Sequence, residues 1–331
     1  MKGVKVLKQH AHDVIKLLSA KNLINREYVI KKGKKYVYIP VKGRMGFEDI
    51  HVSVVNIKFQ KKEKQPKTLR EIIDTNGFRA FDIIGDIALI EVRKGDKGLE
   101  KRIGNGILKV HKNIKAVFAK EPVRGKYRVR GVRYVCGINK TETVHREHGC
   151  MFKLDISKVY FSQRLSHERG RIADLVKEGE NILVLFGGVA PFAIVIAKKH
   201  RNVKVYSIEI NPDAHMYALE NVRLNKVEDR VFPVQGDVIE VLSDKKFENW
   251  ADRIIMPLPW NAINFIPNII HSARKGSMLH IYTFCRTEEV DDVKQKISNL
   301  IGRPSKLIYC RRVRTYSPDI EQYVFDFLVN G

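Results

Sequence analysis

Two adjacent glycines and a proline, in Leu185-Phe186-Gly187-Gly188-Val189-Ala190-Pro191, separate a continuous apolar run (Ile182–Phe186) from a helical pattern over Phe192–Lys199. Glycine lets backbone approach a ligand closely, and a helix N-terminus offers unpaired N–H groups. The spacing is not G-x-G-x-x-G, which argues against a dinucleotide. The next apolar run ends in Glu209-Ile210-Asn211-Pro212, with Glu209 21 residues after Gly188. A carboxylate there can accept hydrogen bonds from both hydroxyls of a ribose. The third run is followed by Gly236-Asp237-Val238, where a carboxylate can reach an adenine amino group. Each acid alone would serve as a helix N-cap or a first-turn charge. Together they lie at successive strand ends, where open α/β sheets bind ligands, and point to an adenosine-bearing ligand without a pyrophosphate. S-adenosyl-L-methionine (SAM) fits that description. Met256-Pro257-Leu258-Pro259 closes the fourth strand. Many SAM enzymes that alkylate nitrogen have Asn or Asp, then x-Pro, at this point, and prolines stiffen the turn.

Other residues carry chemistry with plainer alternatives. The run from Arg124 to Arg133 is basic on alternate residues, so in a strand Arg128 and Arg130 share a face. A solvated edge strand protected by its charge would read the same way. Glu168-Arg169, taken alone, is a charge pair on a helix surface. The four cysteines (Cys136, Cys150, Cys285, Cys310) have no C-x-x-C spacing, so free thiols and no metal site are expected.

These residues need elements to hold them. Residues 157–331 alternate strand and helix, which predicts a Rossmann-like, mostly parallel doubly wound sheet. Within it, a continuous helix is expected over Ile263–Ala273, and Lys306–Tyr316 with Gln322–Val329 should form an antiparallel C-terminal hairpin. Two small α+β domains precede this sheet. Residues 1–58 are read as a module with a helix at His12–Lys21 and strands at Tyr28–Lys32, Lys35–Pro40 and His51–Phe59. Residues 59–67 are charged, polar and contain a proline, which suits a linker. Residues 68–156 are read as a middle domain with a helix at Leu69–Asn76 and strands at Asp86–Val92, Tyr127–Cys136, Glu142–His145 and Met151–Ile156.

The chain has 61 Lys+Arg against 37 Asp+Glu, a net charge of +24, which predicts a polyanionic partner. No apolar run approaches a membrane span and the charged N-terminus is no signal peptide, so no membrane and a cytoplasmic location are expected.

The sequence resembles the archaeal and eukaryotic type of tRNA (guanine-N1)-methyltransferase, which modifies guanosine 37, just 3′ of the anticodon. The resemblance covers nearly the whole chain. It is carried by Tyr127-Arg128-Val129-Arg130, Thr143–Gly149, Lys158-Val-Tyr160-Phe-Ser-Gln-Arg164 with Glu168-Arg169, Phe186–Phe192, Glu209–Pro212, Gly236–Val238, Met256–Pro259, His280-Ile-Tyr-Thr, and Tyr316-Ser-Pro with Phe325-Asp-Phe.

The resemblance implies a class I SAM-dependent methyltransferase, a tRNA partner, SAM as cofactor and a monomer. It implies Glu168 as the general base that takes the guanine N1 proton and Arg128 as the cation that stabilises charge on O6, with Tyr160 beside the target base. It implies cofactor contacts from Arg169, Phe186, Gly187, Gly188, Val189, Pro191, Glu209, Ile210, Asn211, Asp237, Val238, Met256 and Leu258, and substrate contacts from Arg130, Arg164 and Pro259. It gives the N-terminal module the task of reading the distant corner of the tRNA. Three positions depart from the family pattern: Val184 replaces an acid, Ala190 a glycine and Met256 an asparagine. Two alternatives stand beside methylation. A wyosine-pathway transferase would share the fold, although such enzymes usually lack the N-terminal module. A non-catalytic tRNA-binding factor would share the charge.

Overall fold

The structure, a computed structural model, describes residues 1–42, 52–61, 68–69, 78–92, 96–125, 127 and 129–330. The helix expected at Leu69–Asn76 and most of the 59–67 linker therefore lie outside the described residues, as does Arg128. The chain divides into two compact units, Met1–Lys67 and Thr68–Gly331.

In the first unit, strands β1 (Lys2–Leu7), β2 (Lys31–Lys32), β3 (Tyr36–Pro40) and β4 (Ser53–Asn56) form an antiparallel sheet in the order β2-β3-β1-β4. Helix α1 (Ala11–Ala20) covers it, packing Val14 and Leu18 onto Val4, Val6, Val37 and Ile39. Strand β1 was hidden in the sequence among lysines, yet Val4 and Val6 supply the period-2 apolar face that a half-buried strand needs.

The second unit begins with β5 (Phe78–Ile84), β6 (Ile87–Val92), α2 (Lys97–Val110), β7 (Ala116–Arg124) and β8 (Val129–Gly137). β5 pairs antiparallel with β6, β6 runs parallel to β7 across the α2 crossover, and β7 pairs antiparallel with β8. A hairpin of β9 (Glu142–Glu147) and β10 (Cys150–Asp155) follows.

The seven-stranded sheet contains β11 (Asn181–Leu185), β12 (Lys204–Glu209), β13 (Val231–Gln235), β14 (Ala251–Met256), β15 (Ala273–Cys285), β16 (Ser305–Ser317) and β17 (Ile320–Val329), ordered β13-β12-β11-β14-β15-β17-β16. The first five run parallel, and β17 pairs antiparallel with both β15 and β16. Helices α3 (Ser166–Leu175), α4 (Pro191–Lys199), α5 (Pro212–Asn225), α6 (Val238–Leu242), α7 (Ile266–Ile269) and α8 (Val290–Ile301) belong to the same region. The mostly parallel sheet with its C-terminal hairpin is the architecture the sequence implied.

Two of these features bear on the site. On α5, Asn221 and Asn225 lie one turn apart and act as a false strand beside β10. Asn225 Oδ1 accepts the Met151 N–H at 2.8 Å and its Nδ2 donates to Met151 O at 2.7 Å. Asn221 makes the same pair with Lys153, at 2.7 and 3.0 Å. The β9–β10 hairpin is thereby fixed to the large sheet. The continuous helix expected at Ile263–Ala273 is instead a 3-10 turn (Ala262–Phe265), the single turn α7 and a second 3-10 turn (Ile270–Ser272). Pro267 sits at the first turn of α7, where its missing N–H is tolerated, and its ring prevents the preceding turn from running on.

Candidate active site

The turn after β11 alternates in hand: Phe186, Gly188 and Ala190 have φ of 57°, 57° and 63°. Such values cost little for glycine and about 1–2 kcal/mol for a residue with a Cβ. Phe186 and Ala190 therefore carry local strain, which proteins tend to keep at functional sites. Gly187 is required for a different reason, because a Cβ there would lie 2.1 Å from Ser207 Oγ on the neighbouring strand. Val189 is fully buried, and Pro191 occupies the first turn of α4. Val184, where the family has an acid, points into the core at 0% exposure.

Glu209, at the end of β12, closes on this turn. Its Oε2 accepts the Gly188 N–H at 2.7 Å and its Oε1 accepts the Asn211 N–H at 2.8 Å. Burial pushes its pKa up, against the pull of the Asn211, Gly188 and Ile210 N–H groups. Asn211 N-caps α5 by accepting the Asp213 N–H, and its Nδ2 donates to Lys158 O at 3.0 Å. That bond holds segment 158–162 over the turn: a Cβ on Gly188 would meet Tyr160 O at 3.7 Å. The Tyr160 side chain is exposed. Asp237 N-caps α6 through the Ile239 N–H at 2.8 Å, and Val238 is buried beneath it. Backbone donors, an acceptor for hydroxyls and a second acid thus converge on the sheet's carboxyl edge, where Gly188 lies beneath the Tyr160 backbone.

The fourth strand end turns its first side chain inward. Met256 was expected at the cofactor, with loss of a polar group beside the substrate. Its side chain is 0% exposed within the apolar cluster around Leu185 and Ile281. Pro257 is the first residue of the turn outside the core. Leu258 packs on the same cluster and Pro259 O accepts the Phe284 N–H at 3.0 Å. Phe265 stacks edge-on against Phe186, with ring centroids 4.9 Å apart, tying this turn to the glycine turn.

Glu168 and Arg169 both point inward from α3, at 2% and 1% exposure, so neither belongs to a surface charge pair. Arg169 is engaged by protein groups: its Nη2 donates to Glu147 Oε2 at 2.8 Å and to Ser162 O at 3.0 Å, and it lies against the Phe161 and Phe192 rings. Burial would raise the Glu147 carboxyl, but hydrogen bonds from His145 and Arg169 hold it at about 2. Glu168 Oε2 accepts from Arg171 Nε at 2.9 Å and from Tyr282 OH at 2.8 Å. Tyr282 lies one residue past the last register pair of β14 and β15, Met256↔Ile281, which places it at the same carboxyl edge as the glycine turn.

Behind Glu168 runs a buried polar chain that sequence reading missed. Arg171 Nη1 donates to Asp326 Oδ2 at 2.6 Å, and Asp326 Oδ1 lies 2.6 Å from His280 Nδ1. His280 Nε2 accepts from Arg253 Nη1 at 2.6 Å, and Arg253 grips Glu180 with two bonds of 2.8 and 2.9 Å. The Arg253 donor assigns the Nδ1–H tautomer to a neutral His280. Burial holds the His280 pKa down despite Asp326. The signal was present in the sequence: His280 and Asp326 stand alone among apolar neighbours in Leu279-His280-Ile281 and Phe325-Asp326-Phe327, and a buried polar group requires a partner.

The expected substrate arginines Arg164 and Arg130 meet protein groups. Arg164 Nε donates to Asp82 Oδ1 at 2.9 Å, joining the segment before α3 to β5, and Lys120 donates to the same carboxylate. Arg130 Nη1 reaches Glu121 O at 3.5 Å. Arg128, expected at guanine O6, is outside the described residues.

Known proteins resemble this chain along its length. The family description "TRM5/TYW2 methyltransferase domain" matches residues 143–306, "tRNA methyltransferase 5 N-terminal domain" matches 3–45, and "TYW2 N-terminal domain" matches 63–141. A tRNA (guanine(37)-N(1))-methyltransferase Trm5b of Pyrococcus abyssi is 37% identical over 341 residues, covering 99% of both chains. The solved complex of aTrm5 with tRNALeu is similar with a TM-score of 0.74 at 29% identity, covering 100% of each chain. Methanocaldococcus jannaschii Trm5 in complex with adenosine is similar with a TM-score of 0.67 at 29% identity, also covering 100% of each chain.

Proposed function

The chain belongs to the TRM5/TYW2 methyltransferase family, and from that premise we propose that it transfers the methyl group of SAM to N1 of guanosine 37 in tRNA. The observation that carries the chemistry is the position of Glu168. Its carboxylate is buried at the sheet's carboxyl edge, on the helix that follows the segment seated over Gly188. Guanine N1 is protonated and a poor nucleophile. On this reading Glu168 takes that proton through Oε1, since Oε2 is already engaged by Tyr282 and Arg171. Arg128 offsets the charge that moves onto O6, an electrostatic contribution of a few kcal/mol in a dry site. SAM supplies the electrophilic methyl and leaves as S-adenosylhomocysteine. Glu209 accepts the ribose hydroxyls, Asp237 faces the adenine, and the Gly187–Gly188 backbone lies along the methionine portion. The target base must leave its stack, which costs less in a loop than in a duplex. Tyr160, whose backbone lies over Gly188 and whose side chain is exposed, would meet it.

The same reading gives residues 1–58 to a tRNA-binding module on the 59–67 linker, 68–156 to a domain that supplies Arg128, and 157–331 to the SAM domain. The enzyme then works as a monomer in the cytoplasm. Among the described residues, no helix is long and apolar enough to cross a membrane. The match of residues 3–45 to an N-terminal methyltransferase module favours plain guanosine over a wyosine precursor.

The test is to incubate the protein with labelled SAM and an unmodified tRNA transcript, then digest and identify the nucleoside. 1-Methylguanosine supports the reading, an aminocarboxypropyl product replaces it with the wyosine alternative, and absence of label leaves a binding factor. Glu168→Gln and Arg128→Ala should cut turnover far more than SAM binding, and normal methylation by either removes the role given to that residue.

A further inference from the structure

Trp260, Phe284 and Tyr316 form an aromatic cluster that neither the cofactor site nor the catalytic carboxylate uses. Ring centroids lie 4.7 Å apart for Trp260–Phe284, 5.3 Å for Trp260–Tyr316 and 4.5 Å for Phe284–Tyr316. Trp260 and Tyr316 are nonetheless 41% and 46% exposed. The cluster stands at the catalytic edge of the sheet. Phe284 follows Tyr282 by two residues on β15, so both side chains leave the same face, separated by about 7 Å along the strand. Tyr282 is the residue that holds Glu168. Trp260 ends the Pro257–Pro259 turn, which is pinned to Phe284 by its backbone and to the glycine turn through Phe265 and Phe186.

We infer that Trp260 and Tyr316 are a stacking platform for the base that flanks the extruded guanosine in the anticodon loop. The inference rests on the tRNA reading above. When a nucleotide leaves a loop its neighbour loses a stacking partner, and proteins recognise single-stranded RNA by offering aromatic faces to such bases. The surroundings suit RNA rather than an apolar protein partner. β16 carries Arg311, Arg312 and Arg314 on its way to Tyr316, with Arg311 and Arg312 exposed. Across the register from Phe284 sits Gln322, fully buried. Its Oε1 accepts from Arg314 Nε at 2.7 Å, so a charged side chain is anchored next to the aromatic cluster.

The experiment uses the full chain and a tRNA transcript. The chain has two tryptophans, and Trp250 is packed against Tyr206 and Phe247, so Trp250→Phe leaves Trp260 as the sole reporter. Its emission should be quenched by tRNA and unchanged by SAM alone. Trp260→Ala should weaken tRNA binding and raise the tRNA KM roughly 5- to 150-fold, the range of one base–aromatic stack. SAM affinity and kcat at saturating tRNA should stay near wild type. Trp260→Phe should recover most of the loss. The penalty should also vanish on a transcript that is abasic at position 36 or 38, whichever base is stacked. Wild-type tRNA affinity in Trp260→Ala overturns the platform, as does a penalty that persists in full on both abasic transcripts. A wild-type protein that binds but does not methylate guanosine 37 would instead defeat the functional reading.

Discussion

The Tyr282 hydroxyl donates to Glu168 Oε2 across 2.8 Å with both side chains buried. Burial first, and then the adjacent carboxylate, push the Tyr282 pKa well above its ordinary value, so the phenol remains a neutral donor. With Arg171 on the same oxygen, Glu168 Oε2 is held in one orientation, and on the reading proposed above Oε1 is the oxygen left for the guanine N1 proton. Tyr282→Phe removes that restraint without changing the ring that packs near Phe192. A hydrogen bond to a charged group is worth about 1.5–3 kcal/mol, so kcat should fall roughly 10- to 100-fold with SAM affinity unchanged. Single-turnover kinetics and calorimetry separate the two. An unaltered kcat would show that Tyr282 plays no part in orienting the base.

On the reading proposed above, Glu209 should tie SAM affinity to pH. Its carboxyl is raised by burial, so it takes up a proton at a higher pH than an ordinary glutamate. The charged form is the better acceptor for ribose hydroxyls. SAM affinity should therefore weaken as pH is lowered, beginning above the ordinary carboxylate range near 4.5. Glu209→Gln should bind SAM at least tenfold more weakly at pH 7.5 and lose this dependence. Titration calorimetry between pH 7.5 and 5 gives both results, and equal slopes for the two proteins would exclude Glu209 as the cause.

Two small changes in the glycine turn should act in opposite directions. Gly187→Ala places a methyl against Ser207 Oγ and must displace either the turn or β12. SAM affinity should fall by an order of magnitude or more. Ala190→Gly relieves a left-handed alanine at φ 63°, and the gain outweighs the added chain entropy by about 0.5–1 kcal/mol. Urea midpoints measure the second effect. A destabilised Ala190→Gly would mean that the alanine methyl contributes more in packing than its backbone costs.

Glu147 should make part of the fold's stability acid-labile. Its folded pKa of about 2 lies below the ordinary 4.5, so the unfolded chain binds the extra proton between those values. Stability from the hydrogen bonds that His145 and Arg169 make to Glu147 is complete above pH 4.5 and is lost as pH falls toward 2. The shift corresponds to about 3 kcal/mol. The difference in unfolding free energy between wild type and Glu147→Gln should shrink across that window. A constant difference would place the stabilisation elsewhere.

Much of the candidate site could be read along the chain because its parts are local. A glycine turn, an acid ending the next strand and an acid ending the third are each defined by a few consecutive residues and by strand–helix periodicity. The same locality leaves some choices open to the sequence. Met256 and Pro257 are neighbours on one strand end, and only packing tells which of them leaves the core. Asp237 as a helix cap and as an adenine acceptor are one sequence pattern, and the cap is visible in the Ile239 N–H bond. Pro267 could equally begin a helix or break one, and here it restarts the chain as α7.

The amino-acid order alone settled the mostly parallel sheet, the Gly187–Gly188 turn, the carboxylates at its edge and the positive charge. The fold decided which charges meet. Glu168 reaches Tyr282 across 114 residues, and Arg171 reaches Asp326 across 155. Backbone preference and amphipathic period act over a few residues and cannot encode such pairs. Strand register encodes them, and register is set by burying a whole sheet face at once, which leaves each polar side chain on that face to find its partner there or lose the stability of the fold.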